Sequence, residues 1–398
     1  MKIIMKGLLV IYLLADAQNS TAMEQTNERY QNHFINSKSN VKRPRAAEEK
    51  AVIVPTERSS KRSKIEEFNP FLSVNGKQLQ LLHTVEEHDS FFFETLSQAQ
   101  ESILITTYTL NYMDEDLLSL LKAKVTAGIK VWIFSEKIEE NIERDLRSLR
   151  IYPCLMPIHA KILGIDNKLV ALGSFNWLSE QEGNSFDPSI VVHNQQNARK
   201  ILKEFWDRKA DYKELLEFDE EEEEDELDHY THKVNQNYSK NPQPLLISNF
   251  PLSIHLLSTP NQHHQFLIDC FKQAEKKIVI HSRFVSKDPQ FLTSLLETLN
   301  ISAFTRKGGR LEIVYQQGSS EEKILKKAFS PFANISWLPI NSLHSKAIII
   351  DEGKWATVGS YNWFSSAFDF QDDYALLETT LVFKGQAGNW LAQGLGIQ

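Results

Sequence analysis

The chain reads as an α/β protein built from one unit used twice. Strand-like apolar runs alternate with helix-period segments, which points to a layered fold with a largely parallel sheet in each half. The same order of elements returns in the second half. A polar phrase returns with it: His159-Ala160-Lys161, Asp166 and Gly173-Ser174-Phe175-Asn176-Trp177, then His344-Ser345-Lys346, Asp351 and Gly359-Ser360-Tyr361-Asn362-Trp363. Both copies follow H-x-K-x4-D and then G-S-x-N-W, with too many matched polar positions for a chance echo.

The elements follow in order. Residues 85–100 carry apolar side chains at helical spacing, and 102–108 form an aliphatic run suited to a buried strand. A second helix over 116–127 stops at Gly128, and 129–134 is the next strand. The His159 phrase opens a third strand. In the second half, helix 266–274, strand 277–281, helix 289–300, strand 310–315 after Gly308-Gly309, and the His344 phrase repeat the series. Aligning the halves sets Ile103-Leu104-Ile105 against Ile278-Val279-Ile280 and Tyr108 against Arg283.

A length of 398 residues with 41% apolar content is enough for two packed units. The only cysteines, Cys154 and Cys270, lie in different halves, so the fold does not rest on a disulfide framework. The first residues have a basic start (Met1 to Lys6), a short apolar run (Gly7 to Leu14) and the small-residue spacing Ala15-Asp16-Ala17. This reads as a secretory signal over 1–17, too short to span a bilayer, and implies export. The alternative is a cytoplasmic protein that starts at Met23.

Residues 18–75 form a basic, aromatic-poor tail expected to be disordered. Its clusters Lys42-Arg43-Pro44-Arg45 and Lys61-Arg62-Ser63-Lys64 suit a solvated tail, a nucleic-acid patch or, in a host cell, nuclear targeting. The first half is expected over 76–212, an acidic linker over 213–245 and the second half over 246–398. Within the linker, ten of the twelve positions 217–228 are Asp or Glu. Residues 1–65 hold twelve Lys/Arg and six Asp/Glu against a total charge of −8, so without tail and linker acids the body carries about −4.

Residues two apart on a strand share a face, so each half offers an imidazole and an ammonium together, with a Ser/Asn pair downstream. That set suits a phosphate. The doubled phrase resembles the signature of the phospholipase D superfamily over roughly residues 80–195 and 262–380. The resemblance implies two mixed sheets flanked by helices, meeting at one central active site, so that a monomer suffices. It also implies phosphodiester cleavage without cofactor or metal: one neutral histidine attacks phosphorus to give a phosphohistidine, and the other protonates the leaving oxygen. By resemblance His159 is the nucleophile, His344 the acid, and Lys161, Lys346, Asn176 and Asn362 bind the phosphate oxygens. Ser174 and Ser360 support them, while Asp166 and Asp351 are structural.

Asp187 and Asp373 each lie thirteen residues after the motif serine. The resemblance implies that Asp187 orients His159 and Asp373 orients His344. His263, His264, His229 and His232 read as solvated loop histidines rather than ligands. His281 suits either a cleft wall or a core edge. Trp177 and Trp363 suit packing beneath their loops or stacking on bases. Phospholipid is the expected substrate, with contact at a membrane surface but no transmembrane span, because the body lacks a positive footprint. The alternatives are a nuclease of the same superfamily, favoured by the basic tail, and a catalytically silent interaction module.

Overall fold

The computed structural model describes residues 69–74, 77–179, 185–216, 244–248, 252–365 and 376–396. The expected signal, the basic clusters, the acidic run, His229, His232 and Asp373 lie outside the described residues.

Each half is one eight-stranded sheet. The first contains β1 (Phe71–Val74), β2 (Lys77–Leu82), β3 (Ser102–Leu110), β4 (Lys130–Ile138), β5 (Cys154–Leu155), β6 (Lys161–Ile165), β7 (Leu169–Gly173) and β8 (Ser189–Val192), in the order β1-β2-β8-β7-β6-β3-β4-β5. The second contains β9 (Leu245–Ser248), β10 (Ser253–Leu257), β11 (Lys277–His281), β12 (Arg310–Gln316), β13 (Ile335–Ile340), β14 (Ala347–Ile350), β15 (Trp355–Gly359) and β16 (Thr380–Lys384). Its order, β13-β12-β11-β14-β15-β16-β10-β9, is the first read backwards with every strand replaced by its repeat. The first sheet takes in Phe71–Val74, which the sequence reading placed in the tail.

The expectation of largely parallel sheets needs correction. Between strands of the two sheets, parallel pairing is confined to β3-β4-β5 and β11-β12-β13, where helices provide the crossovers. The remaining strand pairs are antiparallel, and short turns join β6 to β7 and β14 to β15. In the first of these turns Asp166 and Asn167 have φ of 54° and 52°, a left-handed conformation that Asp and Asn tolerate better than most residues.

Helices α1 (Val85–Gln98) and α2 (Glu115–Thr126) start at side-chain caps, Thr84 and Asp114, and Thr84 forms a capping box with Glu87. After α3 (Glu140–Ser148), α4 (Gln195–Leu216) closes the first half. In the second half α5 (Pro260–Gln273) is capped by Thr259 and α6 (Pro289–Thr298) by Asp288, each with proline in the first turn. Alternation along β3 sends Ile103 and Ile105 to Phe92, Leu96 and Leu121 of the first two helices, and Leu104 to Ile201, Leu202 and Phe205 of α4. In β11, Ile278 and Ile280 pack with Leu267 and Leu296. Val279, Ile349 and Val358 belong to the same core as Leu104, which is continuous between the two halves.

Candidate functional site

The two halves exchange short segments beside their motifs. Ile158 bridges Leu377 and Phe186 bridges Leu343, both in parallel. Leu377 donates its N–H to Pro157 O at 2.9 Å and accepts the N–H groups of His159 and Ala160 at 2.9 and 2.8 Å. Reciprocally, Phe186 N–H reaches Ser342 O at 3.0 Å, and His344 N–H reaches Phe186 O at 3.3 Å. The backbone just ahead of each histidine is therefore held by the other half.

The next residue in each exchanged segment is an acid. Glu378 accepts from His159 Nδ1 at 2.7 Å, and Asp187 accepts from His344 Nδ1. All four side chains are buried. Ser360 Oγ–H donates to the second carboxylate oxygen of Glu378, and Ser185 Oγ–H does the same for Asp187. A carboxylate on Nδ1–H leaves the Nε2 lone pair of each ring for chemistry.

This corrects two sequence expectations. Asp187 serves His344 rather than His159, and the partner of His159 is Glu378, in the place the sequence reading gave to an Asp373–His344 pair. Strand register explains both. Gly173 pairs with Ser189 and Gly359 with Thr380, so the equivalent acids sit two residues before those partners, at Asp187 and Glu378. The segment from motif serine to acid is five residues longer in the second half, which defeats a fixed offset. The signal that would have found Glu378 is the following strand: Asp187-Pro188-Ser189-Ile190-Val191-Val192 matches Glu378-Thr379-Thr380-Leu381-Val382-Phe383.

The glycine of G-S-x-N has a mechanical reason. A Cβ on Gly173 would lie 2.2 Å from Pro188 O, and one on Gly359 would lie 2.4 Å from Thr379 O. Either would push back the strand that follows the acid. Gly359→Ala should therefore displace Glu378 from His159 and lower kcat by about tenfold or more, as small misplacements of reacting groups do. Steady-state kinetics on a variant with unchanged far-UV circular dichroism checks this.

Lys161 and Lys346 are buried, and each Nζ donates to the carbonyl of its own motif histidine. Burial lowers Lys346 to about 7 and puts Lys161 well below its ordinary value. A bound anion beside them would favour their charged form. Burial also pulls His159 to about 4 and His344 to about 3, against the opposing pull of Glu378 and Asp187. Burial alone would raise the two acids, but the facing imidazoles and lysines keep them ionised. Lys346 acts on His159 and Lys161 on His344, so the groups of both motifs lie within each other's electrostatic range.

The remaining predicted residues divide by role. Ser360 reaches a carboxylate, whereas Ser174 bonds Pro188 O at 3.3 Å. Asn362 Oδ1 accepts Phe284 N–H at 3.4 Å, and Asn176 is half-buried in the corresponding loop. Asp166 accepts from the N–H groups of Gln100, Glu101 and Ser102 at 2.7–3.2 Å, and Asp351 from those of Glu275, Lys276 and Lys277 at 2.8–3.0 Å. Both fasten the turn that enters β3 or β11. His281 is buried, with Nδ1 3.1 Å from Ser345 Oγ. Among the described residues no three His, Cys, Asp or Glu are grouped to hold a metal ion, and no helix is long and apolar enough to cross a membrane.

The two halves also share a buried histidine beneath the motif loop. His88 and His263 each follow a capping threonine by four positions and bond that threonine's carbonyl, at 2.7 and 2.8 Å. His88 stacks on Phe175 at 4.0 Å, and His263 lies 4.5 Å from Tyr361. Trp177 and Trp363 are buried in the same clusters, which removes base stacking as their role. His263 is thus a core residue rather than a solvated one, and His264 is half-buried.

These buried rings predict acid lability. Burial holds His88, His159, His263 and His281 at about 4 and His344 at about 3, against an ordinary 6.5. Between those values the unfolded chain binds more protons than the folded one. Stability is therefore greatest above 6.5, where these rings are neutral in both states, and falls as pH drops toward 4. Urea titrations should show a clear loss between pH 7 and pH 5; an unchanged midpoint would contradict it.

Comparison with known proteins bears on the family and the fold. The family model described as "Cardiolipin synthase, PLD-like domain" matches residues 92–209 and 267–388, together more than half of the chain. None of the curated proteins compared matches it. Among solved structures, phosphatidylserine synthase from Haemophilus influenzae is similar in fold, with a TM-score of 0.54 and 15% identity over 82% of this chain and 86% of that one. A phospholipase D family member from Salmonella typhimurium gives a TM-score of 0.28 and 22% identity over 33% of this chain and 93% of that one. The duplicated sheets, the doubled signature and the two-segment family match lead to one conclusion: the chain belongs to the phospholipase D superfamily.

Proposed function

We propose that the two motifs form a single active site that cleaves phospholipid phosphodiesters through a phosphohistidine. The observation that carries this reading is the reciprocal exchange, His159 with Glu378 and His344 with Asp187. Neither half completes its own histidine, so one chain with both halves suffices and the protein works as a monomer. Lys161, Lys346, Asn176 and Asn362 hold the non-bridging oxygens, where preorganised charge counts most as phosphorus becomes five-coordinate.

In the first step Nε2 of His159 attacks phosphorus, and the N–P bond forms as the P–O bond to the head group breaks. His344, protonated when the anionic phosphate binds and offsets its depressed affinity for a proton, gives that proton to the leaving oxygen. In the second step His344 takes a proton from water or an alcohol, whose oxygen attacks phosphorus and releases His159. Water gives hydrolysis, and an alcohol gives head-group exchange.

Phospholipid is favoured by a body charge of about −4, unlike the positive footprint of a nucleic-acid enzyme. The lipid-linked description of the matching family model points the same way. An assay of the purified protein with phosphatidylcholine and with single- and double-stranded DNA tests the substrate. Lipid turnover that persists in EDTA is expected; cleavage of DNA alone would overturn the lipid reading. We also propose that residues 1–17 direct export, for which N-terminal sequencing of the mature protein should begin at Gln18.

A further inference from the structure

A site with near two-fold symmetry does not by itself distinguish the two ester oxygens of its substrate. The walls beside the histidines break that symmetry. Ile105 pairs with Leu163 and Ile280 with Ile348, so Arg283 holds in the second half the place that Tyr108 holds in the first. Tyr108 lies edge-on to His159, with ring centroids 5.1 Å apart, and carries Lys161 Nζ at 5.9 Å and Lys137 Nζ at 5.4 Å from its ring. The corresponding position of the second half carries Arg283, whose charge acts on Lys346 of the His344 motif. The neighbouring strand does not cancel the difference, since Glu136-Lys137 of the first half is matched by the neutral Gln316-Gln317 of the second.

Arg283 is held where it can act. Val285 bridges Phe364, Ser286 N–H reaches Phe364 O at 2.7 Å, and Phe284 N–H reaches Asn362 Oδ1 at 3.4 Å. This lacing ties residues 284–286, next to Arg283, to Asn362 of the motif and to Phe364 just after it. The guanidinium of half-buried Arg283 sits 5.1 Å from the centre of the Phe284 ring, which is 42% exposed. A stacked guanidinium keeps its plane while its edge offers several donors, which suits a two-point contact with an oxyanion. Arg283 is also close enough to Lys346 to depress its proton affinity.

We propose that Arg283, seated on Phe284, forms a second oxyanion subsite on the His344 side. It selects phosphodiesters whose head group bears a further phosphate or carboxylate, and so sets the direction in which the substrate lies. This deepens the phospholipid reading and rests on it for the identity of the substrate, but the subsite can be tested alone. Inhibition of bis(4-nitrophenyl) phosphate cleavage by glycerol monophosphate and by glycerol bisphosphate gives a ratio of affinities.

The wild-type protein should prefer the bisphosphate by about tenfold, Arg283→Gln should reduce the ratio to about two, and Arg283→Lys should lie between. An equal ratio in the wild type and Arg283→Gln would overturn the subsite. Thermal melts and binding of the monophosphate show that the variants are folded. Monomeric short-chain phosphatidylserine and phosphatidylethanolamine, which differ by a carboxylate, form the second arm. A serine preference lost in Arg283→Gln supports the subsite on lipid. Turnover of both with a preference independent of Arg283 overturns the subsite and leaves the lipid reading standing. Turnover of neither, with the bisphosphate ratio still dependent on Arg283, supports the subsite and overturns the lipid reading.

Discussion

His159→Ala and His344→Ala should each lower kcat by about 10⁴-fold or more, because the two rings perform different tasks in the same turnover. Without the nucleophile no covalent intermediate forms. Without the acid the poor alkoxide leaving group departs unprotonated. The two losses separate on a 4-nitrophenyl ester, whose leaving group needs no proton: His344→Ala should still release about one equivalent of 4-nitrophenolate in a burst and then stall, for want of a base to activate water, while His159→Ala should show no burst. Pre-steady-state release on the 4-nitrophenyl ester and steady-state rates on the lipid measure this. Activity near wild type in either variant on the lipid would contradict the two-histidine scheme.

Glu378→Gln and Asp187→Asn should each cost about 10⁴-fold in kcat, of the order that an orienting carboxylate contributes beside a catalytic imidazole. Each acid fixes its ring through Nδ1 and stabilises the imidazolium, and an amide permits the wrong tautomer. The exchanged pairing makes the expectation specific. In nitrogen-15 spectra of labelled histidine, Asp187→Asn should move the His344 signals and Glu378→Gln those of His159. The reverse pattern would contradict the observed pairs.

The duplication was legible in the sequence because both copies keep their polar residues at equal spacing. The Tyr108–Arg283 equivalence followed from it, and the structural roles of Asp166 and Asp351 from the resemblance to the phospholipase D superfamily. What the sequence did not show was the direction of exchange. A local motif carries no sign that the acid after Ser174 crosses to His344, since that depends on how two sheets meet. Glu378 was hidden by a longer loop, and only the strand register beyond it marks the equivalence with Asp187. The mixed sheets were hidden from periodicity for a related reason: alternation reports burial, while the direction of a strand is decided by the length of the turn before it. His88 and His263 were hidden by type, because a histidine at a helix start reads as solvated until the aromatic rings of the motif loop are seen to cover it.

If the two motifs make one site, a turnover passes through one covalent intermediate per chain, and that number can be counted. A rapidly mixed and acid- or base-quenched turnover, followed by intact-mass and peptide analysis, should show one phosphorylated histidine per chain, His159, and none in His159→Ala. Two phosphorylated histidines per chain, or variants at His159 and His344 that each keep half the wild-type burst, would show two independent sites and contradict the account.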